Sequence, residues 1–229
     1  MKRLSKVKIE WSANFAYAIG LITTDGCLSK NGRSIDFTSK DKCLVELLKR
    51  CLKIDNKITK KARAREEVNK YYRVQIGDIN FYEFLLSIGL MPAKSKKLRS
   101  VCIPGAYFAD FLRGCMDGDG NINISRHPES SHPQLRLRLY SASPSFLLWL
   151  KKSIASCLDV DGGWIRNGGR VFVLSYAKFD AEKLLQFIYY GENIFCLERK
   201  YVLARPFLGS ILKLIKSFGF RLPRYSDII

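Results

Sequence analysis

The sequence predicts an α+β protein made of two pseudo-symmetric αββαββα repeats, each with one antiparallel sheet. Three observations predict it. An apolar helical stretch closing in Asp-Gly occurs twice, as "FAYAIGLITTDG" from residue 15 and "FADFLRGCMDGDG" from residue 108. Asp25 and Asp119 lie 94 positions apart, and so do Gly20 and Gly114, which marks a long internal repeat. After each copy the period shifts from helical to alternating and back, twice over. Finally, the alternating segments put apolar residues on one face and basic or polar ones on the other.

Each element follows in order. After the first apolar helix, "KNGRSIDFTSK" alternates, and "DKCLVELLKRCLKI" places Leu44, Leu47, Leu48, Cys51 and Leu52 on one helical face. After the second, "NISRHPESSHPQLRLRLYS" forms a longer hairpin, and Ser143-Pro144 opens the next helix as N-cap and first-turn proline. Second hairpins follow in "KITKKARAREEVNKYYRVQIG" and "GGWIRNGGRVFVLSYA". Helices "DINFYEFLLSIGL" and "KFDAEKLLQFIYYG" then close the units, each followed by a basic stretch, "AKSKKLRS" and "LERKY". The expected organisation is an N-terminal repeat over 1–93, a linker over 94–105 and a C-terminal repeat over 106–229. The last includes one more helix from about residue 203, with Pro206 near its start.

Composition bounds the function. The 229 residues carry a net charge of +18, which predicts attraction to a polyanion, nucleic acid before an anionic membrane surface. No run of eighteen apolar residues exists, and the basic start lacks a signal-peptide core, so an intracellular protein is expected. Seven cysteines form no CxxC pair, and Cys43, Cys51 and Cys115 fall in helical apolar patterns, as buried reduced thiols would. His127 and His132 share a Pro- and Ser-rich loop, and the spacings do not suit zinc.

The charge is placed on strand faces. Arg136, Arg138 and Tyr140 oppose Leu135, Leu137 and Leu139; Lys57, Thr59, Lys61, Arg63 and Arg65 share a face; Tyr71, Arg73 and Gln75 oppose Tyr72, Val74 and Ile76. The other expected contacts are Lys30, Arg33 and Thr38 on the first hairpin, Asn123 on the third, and Arg166 and Arg170 on the last, where glycines leave the phase open. Side chains of these types contact phosphates and read base edges, and a two-stranded ribbon fits the major groove. Double-stranded DNA is therefore the expected partner.

The repeated helix explains itself through its end. Gly20 and Gly114 would let two helix backbones approach closely. Their C-terminal ends would then lie side by side and bring Asp25 and Asp119 together. Carboxylates at negative helix ends repel each other unless a cation joins them, and oxygen-only ligation suits magnesium. A metal beneath a DNA-binding sheet suits phosphodiester hydrolysis. An EF-hand-type loop at Asp117, Asp119 and Asn121 is excluded, because Ile122 and Pro128 stand where the turn glycine and last acid belong.

The segments "AIGLITTDG" (18–26) and "LRGCMDGDG" (112–120) resemble two copies of the LAGLIDADG motif. From about residue 11 to 203 the chain resembles a monomeric two-repeat LAGLIDADG homing endonuclease. The resemblance implies that the paired motif helices pack together. It implies metal binding by Asp25 and Asp119, assisted by the carbonyls of Thr24 and Gly118, with Mg2+ as cofactor. Mn2+ is expected to substitute, and Ca2+ to bind without turnover. It also implies a basic residue after each repeat, Lys94 and Lys200, with Lys96 and Arg199 as alternatives in the alignment. A polar residue that positions water matches Asp36 in one repeat and Arg138 in the other. The chain departs at Thr23, which replaces the motif's first acid, present as Asp117 in the second copy. The implied function is a staggered double-strand break in a long asymmetric DNA site. An intron-RNA-binding maturase and a non-catalytic DNA-binding regulator are the alternatives.

Overall fold

The computed structural model describes residues 5–62, 70–126 and 133–209. Two units of the same plan follow one another. The first runs α1 (Ala13–Asp25), β1 (Gly26–Leu28), β2 (Ser34–Ser39), α2 (Lys42–Leu52), β3 (Thr59–Lys61), β4 (Tyr71–Gly77) and α3 (Ile79–Ser87). The second runs α4 (Phe108–Asp119), β5 (Gly120–Ser125), β6 (Gln134–Ser141), α5 (Pro144–Leu158), β7 (Trp164–Asn167), β8 (Phe172–Ala177) and α6 (Lys178–Ile188), followed by α7 (Glu198–Ala204). The two antiparallel sheets have matching strand orders, β1-β2-β4-β3 and β5-β6-β8-β7. The expected α+β architecture is thus present.

Local chemistry sets the helix boundaries. Ser12, Asp41, Asp78 and Ser143 cap α1, α2, α3 and α5 by accepting backbone N–H groups of the first turn. Asp78 accepts three, because its other oxygen takes the N–H groups of Lys6 and Val7 and pins the N-terminal segment to α3. The apolar strand faces carry Ile35, Phe37, Val74 and Ile76 in one sheet and Leu135, Leu137, Leu139, Leu174 and Tyr176 in the other, all buried. Aromatic clusters repeat the symmetry. Trp11, Phe15, Phe81 and Phe84 meet behind the first sheet; Phe108, Phe111, Phe146, Trp149 and Phe187 meet behind the second.

The structure corrects several expectations. Cys43 is exposed, and on α2 Val45 is buried while Leu47 is only half-buried. The face of α2 is rotated, because the helix starts at Lys42 and packs through Leu44, Val45 and Leu48. The basic stretch at 198–204 is itself the helix α7, and Pro206 stands at the start of the short 3-10 helix Arg205–Phe207 that follows it. The rest of the expected C-terminal helix lies outside the described residues, as do His127, His132, Arg63 and Arg65. All seven cysteines are free. No described helix is long and apolar enough to cross a membrane.

Candidate active site

The site is built from the two motif helices. α1 and α4 pack face to face through their glycines. A Cβ on Gly20 would run into the carbonyl of Phe111 and stand 2.9 Å from Gly114 Cα, and one on Gly114 would run into the carbonyl of Tyr17. Side chains elsewhere keep helices 8–10 Å apart; here backbone meets backbone. This contact sets the helix ends together. A Cβ on Gly118 would overlap Thr24 and stand 3.1 Å from Asp25 Oδ2, so the Asp25 carboxylate lies against the last turn of the partner helix. Thr24 and Gly118 occupy those last turns, where helix carbonyls have no N–H ahead of them. Asp25 is half-buried and Asp119 opens to solvent. The protein packed around Asp119 still raises its pKa, against the pull of Lys94 and Lys200.

Both lysines turn inward; their neighbours do not. Lys94 begins a 3-10 turn, is 6% exposed, and donates to the Gly26 carbonyl at 2.5 Å. Lys200, in α7, is 4% exposed and donates to the carbonyls of Met116 (2.5 Å), Asp117 (2.9 Å) and Gly120 (2.7 Å). Gly26 and Gly120 are equivalent positions of the repeat, so the two ammonium groups are pseudo-symmetric. Each lies in the field of both Asp25 and Asp119. Burial lowers the pKa of Lys94, and brings Lys200 down to about 8 against the opposing pull of Asp117. Lys96 is exposed, and Arg199 pairs with Asp41 at 3.2 Å.

The two ammonium groups differ in what remains free. All three N–H donors of Lys200 go to carbonyls, whereas Lys94 has two left over beyond Gly26. Loss of Lys200 therefore strands buried carbonyls, at about 1–3 kcal/mol. Lys200→Met, which strands three carbonyls, is expected to lower the melting temperature more than Lys94→Met, which strands one. Differential scanning fluorimetry of the two variants checks this.

The second repeat carries a polar clamp that the first lacks. Asp117 is fully buried; its Oδ2 accepts the Leu197 N–H (2.7 Å) and the Tyr17 hydroxyl (2.8 Å). It thereby ties the chain entering α7, and hence Lys200, to α4. Arg113, also fully buried, pairs with Asp110 at 2.6 Å and donates to the carbonyls of Ile188 and Phe195, both at 2.9 Å. At the matching positions of α1, Thr23 bonds back to Ile19 O at 2.7 Å and Ile19 is apolar. Burial pushes the Asp117 carboxyl from 3.8 up to about 6. A carboxyl raised in the folded state favours folding when protonated, so its contribution falls as pH rises from about 4 to 6. The size is up to about 3 kcal/mol. Asp117→Asn is expected to flatten the stability–pH curve across that window, and denaturant melts at pH 4.5 and 7 measure it.

The sheets flank this centre. Register places Cys27, Asp36 and Gln75 in one cross-strand row and Asn121, Arg138, Ser175 and Trp164 in the equivalent row of the other sheet. Asp36 and Arg138 are therefore matched positions. Asp36, the polar residue expected to position water, is held by Arg73 (2.7 Å), an expected DNA contact, so the two charges neutralise each other. Thr38 is half-buried beside Arg73, and Tyr71 shares the face but is 5% exposed, under the ammonium of Lys40 at 5.5 Å. Tyr71 is thus not displayed as its alternation suggests. Lys30, Arg33, Lys57, Thr59, Lys61 and Gln75 are exposed in the first unit. In the second, Asn123, Arg136, Arg166 and Arg170 are exposed, and Arg138 and Tyr140 half-buried. The open phase of the last hairpin resolves with Trp164 and Arg166 outward. Trp164 and Asn121 are not among the contacts expected from the sequence; period-2 counting from Asp119 finds Asn121, and nothing local finds Trp164.

Two glycine-welded helices, each ending in an acid beneath its own four-stranded sheet, are one known architecture. Residues 12–89 match the model of the LAGLIDADG-like domain. The first repeat thus carries a LAGLIDADG-like domain. Solved structures share the fold across both repeats. The LAGLIDADG homing endonuclease I-LtrWI, bound to target DNA, matches at 13% identity and a TM-score of 0.55, over 90% of this chain and 93% of that one. I-DmoI in complex with DNA and Mn matches at 18% and 0.50, over 79% and 98%. Full-length DUF199/WhiA from Thermatoga maritima matches at 14% and 0.55, over 96% of this chain. This chain spans 66% of the length of that protein. No curated protein sequence matches. The matched residues include α1 and Asp25, and α4 with Asp119 stands at the equivalent place in the second repeat.

Among the described residues no cluster of three His, Cys, Asp or Glu side chains could hold a metal by itself. The donor set here is two carboxylates with helix-end carbonyls, all hard oxygen, with Asp119 exposed. That set fits magnesium, which keeps several waters and is usually held by one or two carboxylates plus substrate phosphate oxygens.

Proposed function

We propose that this protein is a divalent-metal-dependent DNA endonuclease that makes a staggered double-strand break in a long, asymmetric site. The observation that carries the reading is the convergence of Asp25 and Asp119, each backed by a buried lysine, between two sheets with basic outward faces. DNA binding alone has no use for paired acids amid the phosphates it must hold.

In this reading each sheet lies along one half of the duplex. The exposed Lys57, Lys61, Arg136, Arg166 and Arg170 hold phosphates and bases, and so set the register of the strands over the acids. Asp25 and Asp119 would hold the cation, with the Thr24 and Gly118 carbonyls beside them. When bound, that cation supplies Lewis-acid polarisation of the phosphate and lowers the pKa of an attacking water. Lys94 has donors free to hold a phosphate oxygen or the water. Lys200 keeps the Asp117–Gly120 turn, and so Asp119, in place, and adds positive charge where negative charge develops. Solved proteins of this fold with target DNA and with manganese support the reading. The same fold in WhiA is why cleavage must rest on the site and not on the fold.

The test is incubation of a randomised duplex library with the protein in Mg2+, in Ca2+ and without divalent metal. Cuts in both strands at one family of sites, in Mg2+ only, are expected. Sequence-selective binding without cuts in any metal would replace the endonuclease with a DNA-binding protein on the same scaffold. Selective capture of structured RNA in place of duplex would point to the maturase.

A further inference from the structure

Trp164 stands 44% exposed on the edge strand of the second sheet, facing outward. Its row runs from the metal end of the sheet to its edge: Asn121, two residues past Asp119, then Arg138, Ser175 and Trp164. Ser175, between Arg138 and Trp164 in the row, faces outward yet is only 1% exposed. Arg138 Nε is buried beside it without a hydrogen-bond partner. The remaining outward side chains of this sheet are Asn, Gln, Arg, Ser and Tyr, with Val173 buried and Ala177 small. Among the described residues, Trp164 is therefore the one large apolar group that this face leaves to solvent. The equivalent edge strand of the first sheet is Thr59, Lys60 and Lys61, all exposed and none aromatic.

What sets Trp164 apart is its place: an aromatic group on a face otherwise made of cations, amides and hydroxyls, where it offers an apolar contact to whatever that face binds. On a surface that takes duplex DNA, the apolar feature of the major groove is the thymine C5-methyl. Stacking on a base is not available there, since paired bases turn only their edges to the groove. We propose that Trp164 is a specificity determinant that reads a thymine methyl in the half of the target lying on the second sheet. The inference rests on the endonuclease reading of the same cleft. It makes the two half-sites chemically different: the first is read by cations and amides, the second by an aromatic side chain as well.

The test selects bound duplexes from a randomised pool in Ca2+, using the wild type and Trp164→Ala side by side. The wild type is expected to require thymine at one position of the second half-site, and the variant to tolerate all bases there while keeping the other positions. Replacing that thymine by deoxyuracil removes only the methyl. It should weaken wild-type binding about three- to tenfold and leave Trp164→Ala binding unchanged. Trp11 and Trp149 are part-buried in aromatic clusters. Adding the selected duplex should thus change wild-type tryptophan emission and leave that of Trp164→Phe nearly constant, a readout that needs no alanine variant. Identical selected sites for wild type and variant, or equal binding of thymine and deoxyuracil duplexes, would overturn the proposal and leave the endonuclease reading standing. Failure of the wild type to select any duplex would overturn both.

Discussion

Asp119→Asn and Asp25→Asn are each expected to abolish the double-strand break, by on the order of 1,000-fold, while binding to the target in Ca2+ changes less than about threefold. Asparagine keeps the shape of the side chain and removes the charge that would hold a divalent cation. Loss of about 4 kcal/mol of charge stabilisation in the transition state corresponds to that factor. Both strands should suffer in each variant, because the acids share one cleft. The Asp25 carboxylate lies against Gly118 of the other helix, and both lysines lie in the field of both acids. Strand-resolved single-turnover assays with end-labelled duplex read this. Wild-type cleavage of one strand by either variant would mean that the acids act independently.

The second large effect lies in the helix interface. Gly20→Ala and Gly114→Ala each force a methyl group into a carbonyl of the facing helix, of Phe111 and Tyr17 respectively. Backbone cannot swing aside as a side chain can, so the helices must part along their whole length. The expected cost is about 3 kcal/mol or more, a fall in melting temperature of roughly 6–12 °C. Activity should fall further than stability, because parting the helices also separates Asp25 from Asp119. Gly77→Ala is the control: a Cβ there meets nothing within 4 Å. Gly20→Ala melting within a degree or two of the wild type would contradict the packing described.

The features visible in the sequence are those that repeat or alternate. The offset of 94 positions shared by Gly20, Gly114, Asp25 and Asp119 was enough to predict two equivalent units and the meeting of their motif helices. Alternation placed Leu135, Leu137 and Leu139 on the core face and Arg136 and Arg138 on the other, as the register has them. Features made by distant parts of the chain were not visible. Asp117 looks like a motif acid, and nothing near it announces Leu197, 80 residues on. Arg113, a charged residue in an apolar helix, is satisfied by carbonyls 75 and 82 residues away. Tyr71 obeys the alternation and is still buried, because exposure depends on what lies above a face as well as on which face it is. The choice between Lys94 and Lys96, or Lys200 and Arg199, turns on helix phase in short turns that periodicity cannot resolve. Trp164 was masked by the glycines that follow it at 168 and 169, which broke the alternation needed to assign its face.

The central claim is that Asp25 and Asp119 together hold the divalent cation over bound DNA. Anomalous diffraction from the protein in complex with its selected duplex and Mn2+ tests it most directly. The account predicts manganese density between the two motif-helix ends, in contact with carboxylate oxygens of both Asp25 and Asp119. The same density should be lost in Asp119→Asn. Duplex seated on both sheets with no metal at the helix ends, or with manganese bound elsewhere, would contradict it.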